Sequence, residues 1–134
     1  MAETKLKPEQ AIIGARTKVI TATRDLTTAT GDVAYTGVGF KPSSIIAIAS
    51  VNDSYTQSFG MADASLGKGY LYLPISASGK GEVGTGNFLV AMVTYASAYQ
   101  VAIVKSYDTD GFTLTWTKNG SPTGTFTMIF LCFR

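Results

Sequence analysis

Three short stretches of the sequence place chemically useful residue types close together. "GKGEVG" at residues 79–84 fits the G-x-G-x-x-G pattern of dinucleotide-binding loops, and "DTDG" at residues 108–111 has the carboxylate spacing with which a calcium loop begins. "VNDSYTQSFGMAD" at residues 51–63 combines aromatic rings with amide and carboxylate groups. Cofactor binding, metal binding and recognition of a polar ligand are therefore the functions to weigh first.

Neither of the first two patterns is completed by the residues that follow it. A dinucleotide loop must open a helix whose N-terminal N–H groups hold the pyrophosphate, whereas "TGNFLVAMV" predicts a strand. After "DTDG" the remaining oxygen ligands of an EF-hand are missing, and "FTLTW" again predicts a strand. We therefore expect a flexible glycine loop, an aspartate-initiated turn, and neither a cofactor nor a metal ion.

The composition argues against catalysis. The chain contains no histidine, which excludes Ser-His-Asp and Cys-His nucleophile systems, and its single cysteine, Cys132, cannot form an internal disulfide. The acidic residues lie mostly beside Gly, Ser, Thr or Asn in predicted loops, and no Ser-Lys pair stands out. We expect a non-enzymatic protein without catalytic residues.

The stretch at residues 51–63 is suited to contact with another molecule. Aromatic faces stack on sugar rings while amide and carboxylate groups bind hydroxyls, and the same residue types serve protein interfaces equally well. Plain packing within a β-sheet is the third explanation. The candidate ligand or partner residues are Asn52, Asp53, Tyr55, Gln57 and Phe59.

Short strands must position these residues. From Lys18 onward, eight or nine β-rich segments recur at roughly ten-residue spacing, separated by glycine-rich turns. With a charged fraction of 15% and abundant Thr, Ser, Gly and Tyr, this pattern predicts an all-β fold, an antiparallel β-sandwich of jelly-roll-like or Greek-key type. "GFTLTWTK", followed by the turn signals of "NGSPTG", predicts a hairpin with the last strand.

The 134 residues correspond to one domain, which we divide into an N-terminal arm, residues 1–23, and a β-sandwich, residues 24–134. The arm is rich in lysine and carries a short helical pattern after Pro8, although a disordered tail is an alternative. A net charge of +2 and short apolar runs indicate neither nucleic-acid binding nor membrane insertion. The candidate docking residues of the arm are Lys5, Leu6, Ile12 and Ile13.

The final segment, "TGTFTMIFLCFR", predicts a strand that is apolar on both faces, since side chains alternate along a strand. Either this strand lies between two layers of one subunit, or neighbouring copies cover its second face. We adopt the second interpretation, in which one face carries Phe126, Met128, Phe130 and Cys132, and the other carries Ile129, Leu131 and Phe133. The predicted oligomer interface comprises Phe126, Ile129, Leu131 and Phe133.

Two motifs resemble a known module. "TGVGFKPSSIIAIASV" contains a G-F-x-P turn that leads into an apolar strand, and "DGFTLTWTKNGSPTGTFTMIFLCFR" ends in a strand closing on an aromatic residue and arginine. Roughly from residue 24 onward, the chain resembles a β-sandwich module of tailed-bacteriophage structural proteins, often found at the C-termini of tail or side fibres. The arrangement is also similar to that of trimeric H-type lectin domains. The matching positions are Gly39, Phe40, Pro42, Gly111, Phe112, Leu114, Trp116, Gly120, Pro122, Gly124, Phe133 and Arg134.

The resemblance implies a homotrimeric virion protein, synthesised in the bacterial host cytoplasm and located on the virion surface. No shaft, heptad or collagen-like repeat precedes the module, and Met1 is taken as the start of a complete small protein. We therefore expect a capsid-decorating or cement protein whose arm docks on virion proteins such as the major capsid protein. A fibre tip that recognises a host surface glycan is the alternative.

Overall fold

The computed structural model describes residues 16–52, 56–64, 68–73, 82–84, 87–95 and 97–134. Within these ranges the chain forms strands and turns but no helix, and accordingly no helix long and apolar enough to cross a membrane. The strands are β1 (Thr17–Asp25), β2 (Gly31–Thr36), β3 (Ser44–Val51), β4 (Gln57–Asp63), β5 (Lys68–Leu73), β6 (Glu82–Gly84), β7 (Val90–Tyr95), β8 (Ala98–Asp108), β9 (Gly111–Asn119) and β10 (Thr125–Phe133).

The strands form two antiparallel sheets. The six-stranded sheet has the order β1-β10-β3-β4-β5-β6, and the four-stranded sheet has the order β2-β9-β8-β7. Every strand pair is antiparallel, and the pairs β1–β10, β10–β3 and β3–β4 run without a bulge. The predicted antiparallel β-sandwich is confirmed.

The last two strands lie in different sheets, so the hairpin predicted between "GFTLTWTK" and the final strand is wrong. β9 pairs with β2 and β8, whereas β10 pairs with β1 and β3. Each strand has one aromatic face, and these faces pack against each other across the sandwich, with the rings of Trp116 and Phe126 5.5 Å apart. Both aromatic faces are buried only if the two strands lie in different sheets and face each other. The free energy of this burial outweighs the local preference of residues 119–124 for a hairpin turn.

The predicted boundary between arm and sandwich, after residue 23, falls within β1. Residues 17–23 pair with β10, from Thr17 opposite Phe133 to Thr23 opposite Thr127. They therefore belong to the sandwich and form one edge of the six-stranded sheet. Residues 1–15 lie outside the described residues.

Aromatic rings fill the core between the sheets. Tyr35 stacks on Phe112 with ring centroids 5.3 Å apart, and Phe112 meets the edge of Phe130 at 5.0 Å. The Trp116 Nε1–H donates a hydrogen bond of 3.1 Å to the Tyr35 hydroxyl, so this buried polar pair is satisfied. These ring contacts between β2 and β9 of one sheet and β10 of the other therefore hold the two sheets together. They also determine which face of each strand points inward.

Candidate docking surface

β10 presents two different faces. Its inner side chains are fully buried against the other sheet: Phe126, Met128, Phe130 and Cys132. On its outer face Ile129 is 43% exposed, and Leu131 and Phe133 are half-buried. The alternation predicted from the sequence is confirmed. Among the described residues, the outer face has no second layer packed on it.

The neighbouring strands extend this apolar surface. Ile129 lies opposite Ile48 of β3, which in turn lies opposite Phe59 of β4. The adjacent row of paired residues, from β1 to β4, is entirely apolar and consists of Val19, Leu131, Ile46 and Met61. We call the two rows together the apolar outer face; its residues are Val19, Ile46, Ile48, Phe59, Met61, Ile129 and Leu131.

The exposure of large apolar side chains is concentrated on this face. Among the described residues, all five large hydrophobic side chains that are exposed belong to it, with exposed fractions between 36% and 54%. Exposed apolar residues are ordinary when they are scattered, but a contiguous patch marks a surface that contacts something else. The apolar outer face is therefore our candidate functional site.

Hydroxyl and amide groups border the apolar outer face. The row beyond Ile129 contains Thr23, Thr127, Ser50 and Gln57, and the row beyond Leu131 contains Thr17, Phe133, Ser44 and Asp63. On β1, β10, β3 and β4 the outward-facing residues include no lysine or arginine, and the only carboxylates are Asp25 and Asp63. An almost uncharged centre with a polar rim is typical of a protein interface.

The outer face of the four-stranded sheet is chemically different where β2 and β9 lie side by side. Asp32 forms an ion pair with Lys105 and accepts a hydrogen bond of 2.6 Å from the Thr115 hydroxyl. Hydrogen bonds from Lys105 and then Thr115 hold the pKa of Asp32 below its usual value. This face also presents Thr113 and Thr117. This hydroxyl-rich and charged character belongs to the β2–β9 side of the face and is suited to water. Beside it, the outward residues of β8 and β7 include the apolar Ala91, Val101 and Ile103.

Most of the predicted oligomer residues lie on or beside the apolar outer face. Ile129 and Leu131 belong to it, and Phe133 occupies the adjoining row. Phe126 is not on this surface, because it is fully buried on the inner face of β10 against Trp116. Its place in the predicted interface is corrected to the core, since strand alternation puts it on the side opposite Ile129.

Two of the predicted ligand residues lie on the same side of the sheet. Gln57 and Phe59 both point outward from β4, and Phe59 is part of the apolar outer face. Asn52 follows β3, is exposed, and its side-chain oxygen lies 3.3 Å from the Thr127 hydroxyl. Asp53 and Tyr55 lie outside the described residues. The described part of the predicted ligand site therefore lies on the same side of the sheet as the predicted oligomer interface.

The predicted docking residues of the arm cannot be placed on the fold. Lys5, Leu6, Ile12 and Ile13 lie outside the described residues. The described chain begins at Arg16, next to β1 and thus at the edge of the six-stranded sheet.

The "DTDG" stretch forms the turn of the β8–β9 hairpin, in which Asp108 lies opposite Gly111. The Asp108 carboxylate is used in local contacts, and the Asp110 carboxylate in contacts with a distant segment. Asp108 accepts hydrogen bonds from the Ser106 and Thr113 hydroxyls, and the Thr113 bond followed by the Ser106 bond lowers its pKa. The Asp110 carboxylate accepts the backbone N–H groups of Gly37 at 3.1 Å and Gly39 at 2.6 Å. The expected aspartate turn is confirmed, and it also fastens the "TGVGF" segment to the β8–β9 turn.

Residues with reactive side chains do not form a site in the described part of the chain. No three His, Cys, Asp or Glu residues are grouped there as metal ligands. Cys132 lies fully buried on the inner face of β10, and burial raises the pKa of its thiol to about 11. A protonated and inaccessible thiol is a poor nucleophile at neutral pH.

A buried polar cluster joins the two sheets. The Arg24 guanidinium of β1 donates from Nε to Gln100 Oε1 of β8 at 2.7 Å and lies 4.7 Å from the centre of the Trp116 ring. The Gln100 amide donates to the carbonyl oxygens of Leu26 at 2.7 Å and Thr28 at 2.8 Å. Burial lowers the pKa of Arg24, although the guanidinium remains charged at all ordinary pH values. This cluster holds the β1–β2 turn against the four-stranded sheet.

Sequence reasoning missed part of the candidate surface, namely Val19, Ile46, Ile48 and Met61. The signal was present in "SSIIAIASV", where apolar residues occupy both faces of the predicted strand. A run of this kind is typical of a strand buried on both sides, so it does not by itself indicate an exposed apolar face. In the structure only the Ile45, Ala47 and Ala49 side is buried within the subunit.

Comparison with known proteins gives no match to a family model, to a curated protein or to a solved structure. The apolar outer face and the motifs of the sequence are therefore the observations that bear on function.

Proposed function

We propose that the protein is a non-enzymatic structural component of a bacteriophage virion, of the capsid-decorating or cement kind, which acts by docking. The observation that carries the docking role is the apolar outer face, where five large hydrophobic side chains remain between 36% and 54% exposed. Covering the exposed part of each would contribute about 1 kcal/mol, by area. A surface of this kind is stable in water only as part of an assembly or at a cost in solubility.

The bacteriophage part of the proposal is supported by the motifs. The G-F-x-P segment and the segment from Gly111 onward resemble the phage module, and in this fold they meet: Asp110 accepts hydrogen bonds from Gly37 and Gly39. The resemblance also makes a homotrimer the arrangement to test. In this proposal the N-terminal arm binds the major capsid protein, and the protein lies on the virion surface.

Recognition of a host surface glycan by a fibre tip is the second candidate. Phe59 and Gln57 are exposed on the same face of β4, so an aromatic ring lies near an amide as carbohydrate binding requires. The rest of the apolar outer face is aliphatic and offers few hydrogen-bond partners to hydroxyl groups, which favours docking to protein.

Co-sedimentation with virus particles tests the proposal. The particles are purified from the virus that carries the gene and are prepared without this protein, and the full-length protein should sediment with them. The double variant Leu6→Asp/Ile13→Asp should bind at least about tenfold more weakly, which corresponds to about 1.4 kcal/mol of binding free energy. Thr117→Asp, on the hydroxyl-rich outer face of the other sheet, is the matched control and should bind like the wild type. If the wild-type protein does not bind the particles but binds host cells, and Phe59→Ala abolishes that cell binding, the result would contradict capsid decoration and favour the fibre tip.

A further inference from the structure

We infer that the occupant of the apolar outer face is a second copy of this chain, whose own apolar outer face packs against it. The inference rests on the proposed function in assigning this face to docking, and it narrows the self-association expected from the sequence to face-to-face packing of two copies. Chemical character, charge and size of the face each support a second copy.

The chemical character of the face suits packing of a sheet on a sheet. Val19, Ile48 and Ile129 are β-branched side chains on strands that pair without a bulge. Two sheets pack face to face about 10 Å apart when such side chains interdigitate, which is how the two layers of a sandwich form. The apolar outer face of a second copy presents side chains of this kind. A sugar does not, because hydroxyl groups require polar partners that the centre of the face lacks.

The charges on the face permit self-association. Its centre is uncharged, and the two outward carboxylates, Asp25 and Asp63, lie at opposite ends of β1 and β4. Suppose that a two-fold axis in the plane of the interface relates the two copies and runs parallel or perpendicular to the strands. Neither carboxylate then lies opposite the same residue of the second copy. Like-charge repulsion, which usually prevents identical surfaces from meeting, is thereby avoided. Threonine, serine and glutamine in the flanking rows provide the polar rim.

The size of the face is sufficient. β1 and β10 each contain nine residues, and strands rise by about 3.3 Å per residue and lie about 4.8 Å apart, so the face of four strands measures about 30 Å by 19 Å. This area is of the same order as the roughly 800 Å² that each partner contributes to a standard protein interface. The apolar outer face forms the centre of this area, where the energetically important contacts of an interface lie.

Analytical ultracentrifugation of the full-length protein tests the inference. Wild type should sediment as a dimer of the 14.2 kDa chain, because two identical faces that pack on each other are related by a two-fold axis. Ile48→Asp should raise the dissociation constant at least about a hundredfold, because it would leave a charge buried in the interface. The double variant Ile48→Thr/Ile129→Thr keeps β-branched side chains and hence the strands, and should also dissociate. Thr117→Asp is the control and should keep the wild-type mass.

The outcomes separate this inference from the proposed function. A monomeric wild type, a trimer, or an oligomer that both face variants leave intact overturns the face-to-face pair. A monomeric wild type whose particle binding is lost in Ile48→Thr/Ile129→Thr shows that the face docks on a different protein, which retains the proposed function. Conversely, an oligomer that depends on the face but never binds particles supports the inference and contradicts virion docking. Circular dichroism of each variant verifies that the fold is intact.

Discussion

Gln100 satisfies buried polar groups of two kinds at once. Its side-chain oxygen accepts from the Arg24 guanidinium, and its amide group donates to two backbone carbonyls of the β1–β2 turn. Arg24 is only 8% exposed. A buried cation is stable only when its donors are paired, so Gln100 is needed for the charge as well as for the turn.

We expect Gln100→Leu to lower the free energy of unfolding by about 3 kcal/mol, because it leaves the Arg24 Nε–H and two carbonyls without partners. Urea unfolding followed by the fluorescence of the single tryptophan, Trp116, measures this loss. The double variant Arg24→Met/Gln100→Leu should lose less than the sum of the two single variants, by about 1 to 2 kcal/mol. Strictly additive losses would show that the two side chains act independently.

At the level of elements, Asp110 connects two turns that are distant in the sequence. Its carboxylate accepts the N–H groups of Gly37 and Gly39, and its backbone carbonyl accepts the N–H of Val38. Gly37 and Gly39 have φ values of 89° and 85°, in the left-handed region that favours glycine. The glycines of "TGVGF" thus allow the chain to present successive N–H groups to one carboxylate.

We expect Asp110→Ala to lower the free energy of unfolding by about 1 to 2 kcal/mol, the usual range for loss of charge-assisted hydrogen bonds at a partly exposed position. Asp110→Asn keeps one acceptor oxygen and should lose less. Thermal unfolding by differential scanning calorimetry compares the three proteins. If both variants retained wild-type stability, the contact between the turns would have no energetic role.

For the whole molecule, the contrast between the two outer faces determines how an assembly should respond to salt. Association through the apolar outer face involves no ion pair at its centre, so it should depend little on ionic strength. We expect the dissociation constant from sedimentation equilibrium to change less than about threefold between about 0.1 M and about 1 M sodium chloride. Sulfate, which strengthens apolar burial, should tighten association. Dissociation at high sodium chloride would instead indicate an interface built on charges.

Much of the local structure followed from the sequence because it depends on neighbours in the chain. Alternation in "TGTFTMIFLCFR" predicted which side chains of β10 share a face, and "DTDG" predicted the β8–β9 turn. The same local reasoning failed where distant segments compete. The turn signal of residues 119–124 predicted a hairpin, yet the chain crosses to the other sheet there, because Trp116 and Phe126 bury each other only across the sandwich.

By itself the sequence determined that the described chain is made of strands, which side chains alternate on each, and that β10 is apolar on both sides, since these properties depend on residue type and spacing alone. Tertiary structure decided which strands are neighbours. Ile129 joins Ile48 and Phe59 only because β10 inserts between β1 and β3, and this order assembles the apolar outer face from segments that are distant in the sequence. Strand order arises from burial of the shared aromatic core, a property of the whole chain that no single segment contains.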